Sequence, residues 1–124
     1  QCLEGKENLR LRDLDPVRDL VFRNDHVNAY LAVFNQPEKS IGETFNFCTG
    51  KGTSIRELVE LIIQKTDYTG EVIWNTIPKR PLDIDVLIGD PAKAWQVLKW
   101  EAEYSLSEGL DQTITELKNR GRLR

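Results

Sequence analysis

The sequence predicts an α/β fold, an α+β-like layer of three or four short strands with four helices. Three observations point to it: short β-branched or aromatic runs alternate with helix-period stripes, Ser-x-x-Glu pairs open two of the helices, and glycine or proline punctuates the joins. The 124 residues suffice for one core, so residues 1–124 read as a single domain.

Residues 1–16 are polar, with Leu9 and Leu11 the only alternation, and read as a lead-in with one short strand. Val17–Phe22 reads as a strand. Asp25 reads as the cap of a helix whose apolar positions Val27, Tyr30, Leu31 and Phe34 follow helical spacing, stopped by Gln36 and Pro37. Glu43–Cys48 alternates Phe45 and Phe47 with Thr44 and Asn46, as a half-buried strand does. Ser54 and Glu57 form a capping box for a helix to about Lys65, with Ile55, Leu58, Val59 and Ile62 on one face. Tyr68-Thr69-Gly70 turns into a strand at Glu71–Trp74, and Val86–Ile88 is another short strand. Asp90 and Pro91 open a helix carrying Ala94, Trp95 and Leu98. Ser105 with Glu108, or Ser107 itself, caps the last helix, whose face is Leu106, Leu110, Ile114 and Leu117 and whose end is Gly121.

The net charge of −3 gives no basic stripe for nucleic acid and no polybasic membrane patch, and no apolar run approaches the ~20 residues of a span. Cys2 and Cys48 have neither metal nor framework spacing, which suits free thiols in a reducing, cytoplasmic compartment. No metal-ligand spacing occurs. The chain has no methionine and opens on Gln1, as a truncated polypeptide would.

The segment Arg80-Pro81-Leu82-Asp83 carries the most chemistry. Side chains three apart in an extended segment point to opposite faces, but a turn at Pro81 can bring Arg80 and Asp83 to one cleft. A guanidinium fork suits a phosphate and a carboxylate suits a ribose diol. The plain reading is a surface turn with an ordinary ion pair.

Three blocks resemble the extended short-chain dehydrogenase/reductase family of NAD(P)-dependent nucleotide-sugar epimerases, dehydratases and reductases, GDP-mannose 4,6-dehydratases above all. They are Leu14–Ala29 with its Arg18-Asp19 pair, Gly42–Glu57, and Arg80–Ala94 running on to Leu110. They stand in family order and cover nearly the whole chain. The resemblance implies the C-terminal substrate-binding domain of a Rossmann-type enzyme, with Glu43–Cys48 extending the parallel sheet of a large lobe. It also implies the substrate-binding residues: Arg18 and Arg80 on the diphosphate, Asp83 on the ribose hydroxyls, and Asn46 more weakly, since a strand-end Asn also satisfies backbone groups. For Arg18 the plain reading is a surface pair with Asp19. Leu82 stands where the family carries Gly or Thr.

The family's Gly-x-x-Gly-x-x-Gly turn and its Tyr-x-x-x-Lys pair have no counterpart here: none of Tyr30, Tyr68 and Tyr104 is followed four residues later by lysine. The expectation is therefore a chain with no catalytic residue and no cofactor of its own, NAD(P) belonging to the parent enzyme. Gly50-Lys51-Gly52-Thr53-Ser54 mimics the tail of a phosphate-binding loop, but Phe45 stands where that motif needs its first glycine. His26 reads as helix surface, and Trp95 and Trp100 as packing residues.

Two functions follow as expectations. The first is a lobe that holds a GDP-, UDP- or dTDP-sugar while a missing N-terminal domain moves hydride and proton. The second is a stand-alone, non-catalytic binding or assembly module. An independent enzyme would need a paired nucleophile and base, which the sequence does not supply. Separated from its sheet, the 43–48 strand would expose unpaired backbone and an apolar face, favouring a homo-oligomer.

Overall fold

The computed structural model describes residues 1–13, 15–76 and 83–121. A 3-10 turn at Cys2–Glu4 precedes strands β1 (Asn8–Arg10) and β2 (Val17–Asp19) and helices α1 (Arg23–Phe34) and α2 (Pro37–Ser40). Strand β3 (Gly52–Ser54), helix α3 (Ile55–Thr66), strands β4 (Glu71–Ile73) and β5 (Val86–Leu87), and helices α4 (Ala92–Leu98) and α5 (Leu106–Asn119) follow. The predicted α/β layer is therefore present, with β3 and α2 as additions.

The strands form two small sheets. β1 and β4 pair in parallel, Leu9 opposite Val72. In the other, β2 is central: antiparallel to β3, with Arg18 opposite Thr53, and parallel to β5, with Arg18 opposite Leu87. Proline and glycine at the ends keep these strands short: Val17 follows Pro16, and β3 begins at Gly52.

Both predicted capping boxes are present. The Ser54 hydroxyl accepts from the Glu57 N–H while the Glu57 carboxylate accepts from the Ser54 N–H, and Ser105 and Glu108 repeat the exchange on α5. At α4 the N-cap is Pro91 rather than the expected Asp90, which stands one residue earlier and accepts from the Ala92 N–H at 2.9 Å.

The main core joins α1 and α4 to the segment on either side of them. Ala29, Ala94, Leu98 and Trp100 are buried together, flanked by Ala32, Val33, Phe45 and Phe47. The Trp100 ring meets Phe47 edge-on at 4.9 Å, an arrangement the ring quadrupoles favour. Trp95 is corrected from core to surface: it is half exposed, with the Lys99 ammonium over its ring. A second apolar cluster lies between α3, α5 and β1, where Leu9 and Ile114 are buried beside a cavity of about 500 Å³.

Three further expectations need correction. Asp25 does not cap α1, which begins at Arg23 after Phe22; it lies inside the first turn and is buried. Its carboxylate instead accepts from the Glu103 N–H at 3.0 Å and the Tyr104 N–H at 3.4 Å. The predicted apolar face of α1 has the right period on the wrong side: Ala29, Ala32 and Val33 turn inward, and Val27, Tyr30, Leu31 and Phe34 are exposed. Small residues let this side of α1 join Ala94, Leu98 and Trp100 in one core, where the larger side chains would need more room. Finally, residues 43–48 keep the alternating burial of a strand but belong to neither sheet among the described residues.

Close packing also fixes Gly109. A Cβ there would lie 2.9 Å from Phe22 Cδ2 and 3.1 Å from Phe22 Cγ, and that ring is held edge-on to Tyr104 at 5.0 Å. Gly109→Val should lower unfolding stability by about 2 kcal/mol, read by urea denaturation, because Phe22 must leave its place. Gly109→Ala should cost less, since alanine recovers about 1 kcal/mol of helix propensity.

Candidate functional site

Strand β2 divides its chemistry between two faces, because successive side chains in a strand alternate. Arg18 lies on one. Its Nη1 donates to the Val17 carbonyl at 2.9 Å and the Asp85 carbonyl at 3.5 Å, and its Nη2 stands 3.8 Å from Asp83 Oδ1. Both charged side chains are about one quarter exposed, 27% and 24%, so each keeps access to solvent on one side. Arg18 and Asp83 were both expected at the nucleotide site, and the fold brings them together although 65 positions separate them in sequence. The parallel pairing of β2 with β5 does this, by setting Val17 opposite Val86. Arg80 lies outside the described residues. Asn46 is exposed on the 43–48 segment.

Asp19 lies on the other face and does not pair with Arg18. Its Oδ1 accepts from the Thr49 N–H at 2.9 Å and the Thr49 hydroxyl at 2.6 Å. Its Oδ2 accepts from the Gly50 N–H at 2.9 Å and the Gly89 N–H at 3.4 Å. Burial pushes the Asp19 carboxyl up, but these four hydrogen bonds together outweigh it and hold the group below its ordinary 3.8. The carboxylate thus ties the loop after Cys48 to the loop after β5 and fixes the floor under the Arg18 face. Sequence reading missed this role. The one signal for it was the small and hydroxylated residues on either side of Lys51 at 49–54, which leave backbone donors open to a partly buried acid.

Cys48 packs against Gly89, where an added Cβ would meet its Sγ at 2.5 Å. Burial, then the Asp19 charge, push the Cys48 thiol up, which disfavours its thiolate form. Both cysteines are free thiols. Among the described residues no group of three His, Cys, Asp or Glu could hold a metal ion, and no helix is long and apolar enough to cross a membrane.

The glycines of the 50–54 loop do not fit a dinucleotide. A Cβ on Gly52 would meet Val17 Cγ1 at 2.5 Å and Ile88 Cδ1 at 2.7 Å, and one on Gly50 would meet Pro91 Cδ at 3.3 Å. The chain's own side chains fill the space that a pyrophosphate cradle leaves open. His26 is exposed, as expected.

Known proteins resemble this chain in sequence and in fold. The sequence model of the family described as GDP-mannose 4,6 dehydratase matches residues 1–113. UDP-glucose 4-epimerase 4 of Oryza sativa subsp. japonica is 36% identical over 105 residues, which are 83% of this chain and 26% of that protein. GDP-6-deoxy-D-mannose reductase of Pseudomonas aeruginosa is 25% identical over 92% of this chain and 37% of its own length. Among solved structures, the UDP-glucose 4-epimerase of Thermotoga maritima with UDP-glucose superposes with a TM-score of 0.85 at 35% identity, covering 96% of this chain and 37% of that one. The Bordetella bronchiseptica enzyme WbmF, in complex with NAD+ and UDP, gives 0.64 at 31% identity over 84% of this chain and 29% of its own. The chain thus spans between a quarter and two-fifths of these relatives. On this match it belongs to the GDP-mannose 4,6 dehydratase family, within the nucleotide-sugar epimerases, dehydratases and reductases of the short-chain dehydrogenase/reductase type.

Proposed function

We propose that this chain is the nucleotide-sugar-binding lobe of an NAD(P)-dependent epimerase, dehydratase or reductase, folded as one substrate-binding domain over residues 1–124. The observation that carries the reading is the approach of the Arg18 guanidinium to the Asp83 carboxylate, 3.8 Å apart on a solvent-accessible face. A nucleoside diphosphate offers this pair what each lacks: phosphate oxygens for the guanidinium and ribose hydroxyls for the carboxylate. The ligands in the related structures, UDP-glucose in one and NAD+ with UDP in the other, support the same chemistry.

In this reading Arg18 and Arg80 hold the diphosphate, Asp83 receives the ribose diol and Asn46 is a weaker substrate contact. The Val17 and Asp85 carbonyls fix the Arg18 fork before ligand arrives, which reduces the ordering cost of binding. NAD(P) supplies the hydride chemistry from a separate nucleotide-binding half, to whose sheet residues 43–48 add a strand. A reducing, cytoplasmic setting suits the two thiols. The stand-alone module is the weaker reading, because it leaves the outer face of α1 without a purpose.

Calorimetry with GDP, UDP and dTDP tests the assignment. We expect one of them to bind with 1:1 stoichiometry, and Arg18→Glu to weaken it by about tenfold or more, the worth of a charge-assisted phosphate contact. Reversal at the exposed Arg56 of α3 should leave affinity unchanged. Failure of all three nucleotides to bind, or an unchanged affinity in Arg18→Glu, overturns the reading.

A further inference from the structure

The Arg18–Asp83 pair is built unevenly. Arg18 stands in the ladder between Thr53 of β3 and Leu87 of β5, and its Nη1 is tethered to the Val17 and Asp85 carbonyls. Asp83 lies outside the ladder, beyond the bond from the Val17 N–H to the Asp85 carbonyl at 2.7 Å. The cation is therefore fixed, and the carboxylate is the partner that moves. Their separation of 3.8 Å agrees: it is within Coulombic reach but longer than the roughly 2.7–2.9 Å of a closed charge-assisted hydrogen bond. Such a pair is held yet easily parted. Partial burial of both side chains weakens solvent screening, so the carboxylate cancels much of the field that the guanidinium would otherwise present to an anion.

We propose that Asp83 screens Arg18 in the empty site, so that the site admits a nucleoside diphosphate and turns away free phosphate or pyrophosphate. The proposal rests on the nucleotide reading above and adds what the empty site does. An inorganic anion approaches a cation that is already neutralised, and it meets the Asp83 charge as it does so. Taking the phosphate also strips Asp83 of its counter-charge and leaves it partly buried without one, a costly state. A ribose diol removes that cost, because its hydroxyls donate to the carboxylate that the phosphate has displaced. One ligand thus satisfies both groups, where an inorganic anion satisfies one and repels the other. Selectivity comes from the repulsive element as much as from the attractive one. The neighbours directly opposite Arg18 fit this division: Thr53 and the exposed Leu87 bring no charge of their own, so Asp83 sets the balance.

Calorimetry with inorganic pyrophosphate is the test, because that probe carries the charge and lacks the diol. Asp83→Asn keeps the shape of the side chain and removes its charge. We expect it to bind pyrophosphate about tenfold more tightly than the wild type, with an unchanged circular dichroism spectrum. Asp83→Ser should show the same gain, and the gain should vanish in Arg18→Gln/Asp83→Asn. Glu43→Gln, which frees Lys93 from an exposed ion pair elsewhere, should leave pyrophosphate affinity unchanged. The wild type's preference for a nucleoside diphosphate over pyrophosphate should fall about tenfold or more in Asp83→Asn. Pyrophosphate affinity that is unchanged or lowered in both Asp83 variants overturns the proposal, and so does an equal gain without Arg18. A nucleotide bound through Arg18 with no pyrophosphate gain overturns the screening alone. A wild type that binds no nucleoside diphosphate overturns the nucleotide reading, and with it the part given to the diol, whatever pyrophosphate does.

Discussion

Asp25→Ala should lower unfolding stability by about 3 kcal/mol, a loss on the scale of truncating a core side chain. The side chain is 1% exposed, and both carboxylate oxygens accept from backbone N–H groups, those of Glu103 and Tyr104. Removing it strands two donors, each costing about 1–3 kcal/mol when left without a partner. The loop it holds follows Trp100, whose indole N–H donates to the Asp25 carbonyl at 3.3 Å, so one residue fastens the core tryptophan and the lead-in to α5. A drop in melting temperature of about 12 °C corresponds to this loss in a chain of this size. Asp25→Asn keeps one acceptor and should lose about half as much. An Asp25→Asn variant as stable as the wild type, beside a full loss in Asp25→Ala, would show that volume rather than hydrogen bonding sets the cost.

Asp19→Asn should cost about 2 kcal/mol at neutral pH and flatten the acid limb of the stability curve. An asparagine amide can face only one pair of the four donors; its NH₂ group opposes the other. The folded carboxyl is held below its ordinary 3.8, so its stabilisation is fully present above that value and disappears as pH falls through the lower, folded one. Wild type and variant should therefore converge as pH drops, which urea titrations at stepped pH would read. The capping carboxylates contribute in the same direction: the Ser54 N–H and hydroxyl lower Glu57, and the Ser105 hydroxyl and N–H lower Glu108. Since both variants carry these caps, a constant gap between the curves down to strongly acid pH would refute the Asp19 assignment.

Local chemistry made much of the architecture legible. Both capping boxes, the starts of α3 and α5, and strands β2, β4 and β5 follow from a hydroxyl three residues before an acid or from short β-branched runs. β3 did not, because Thr53 is a single strand-favouring residue between Gly52 and Ser54, and so short a run forms a ladder only when β2 supplies it. Periodicity showed that α1 is a helix but not which of its two apolar faces goes inside; that depends on the fit of alanines to α4, a long-range matter. The 43–48 segment misled for the same reason, since its alternation is correct but a ladder partner is a property of the surroundings. At the candidate site, Arg18 and Asp83 were legible through family resemblance. Asp19 and Asp25 were not, since an acid answering amide groups scattered along the chain leaves no spacing to read.

The back-to-back placement of Arg18 and Asp19 has a consequence for sequence change. Deleting or inserting a single residue between Pro16 and Leu20 would exchange the two groups, turning the cation toward the Thr49 and Gly50 amides and the carboxylate toward Asp83. Two acids would then stand together while a guanidinium confronted a ring of donors. This stretch can therefore drift in composition at its hydrophobic positions, but its length is fixed.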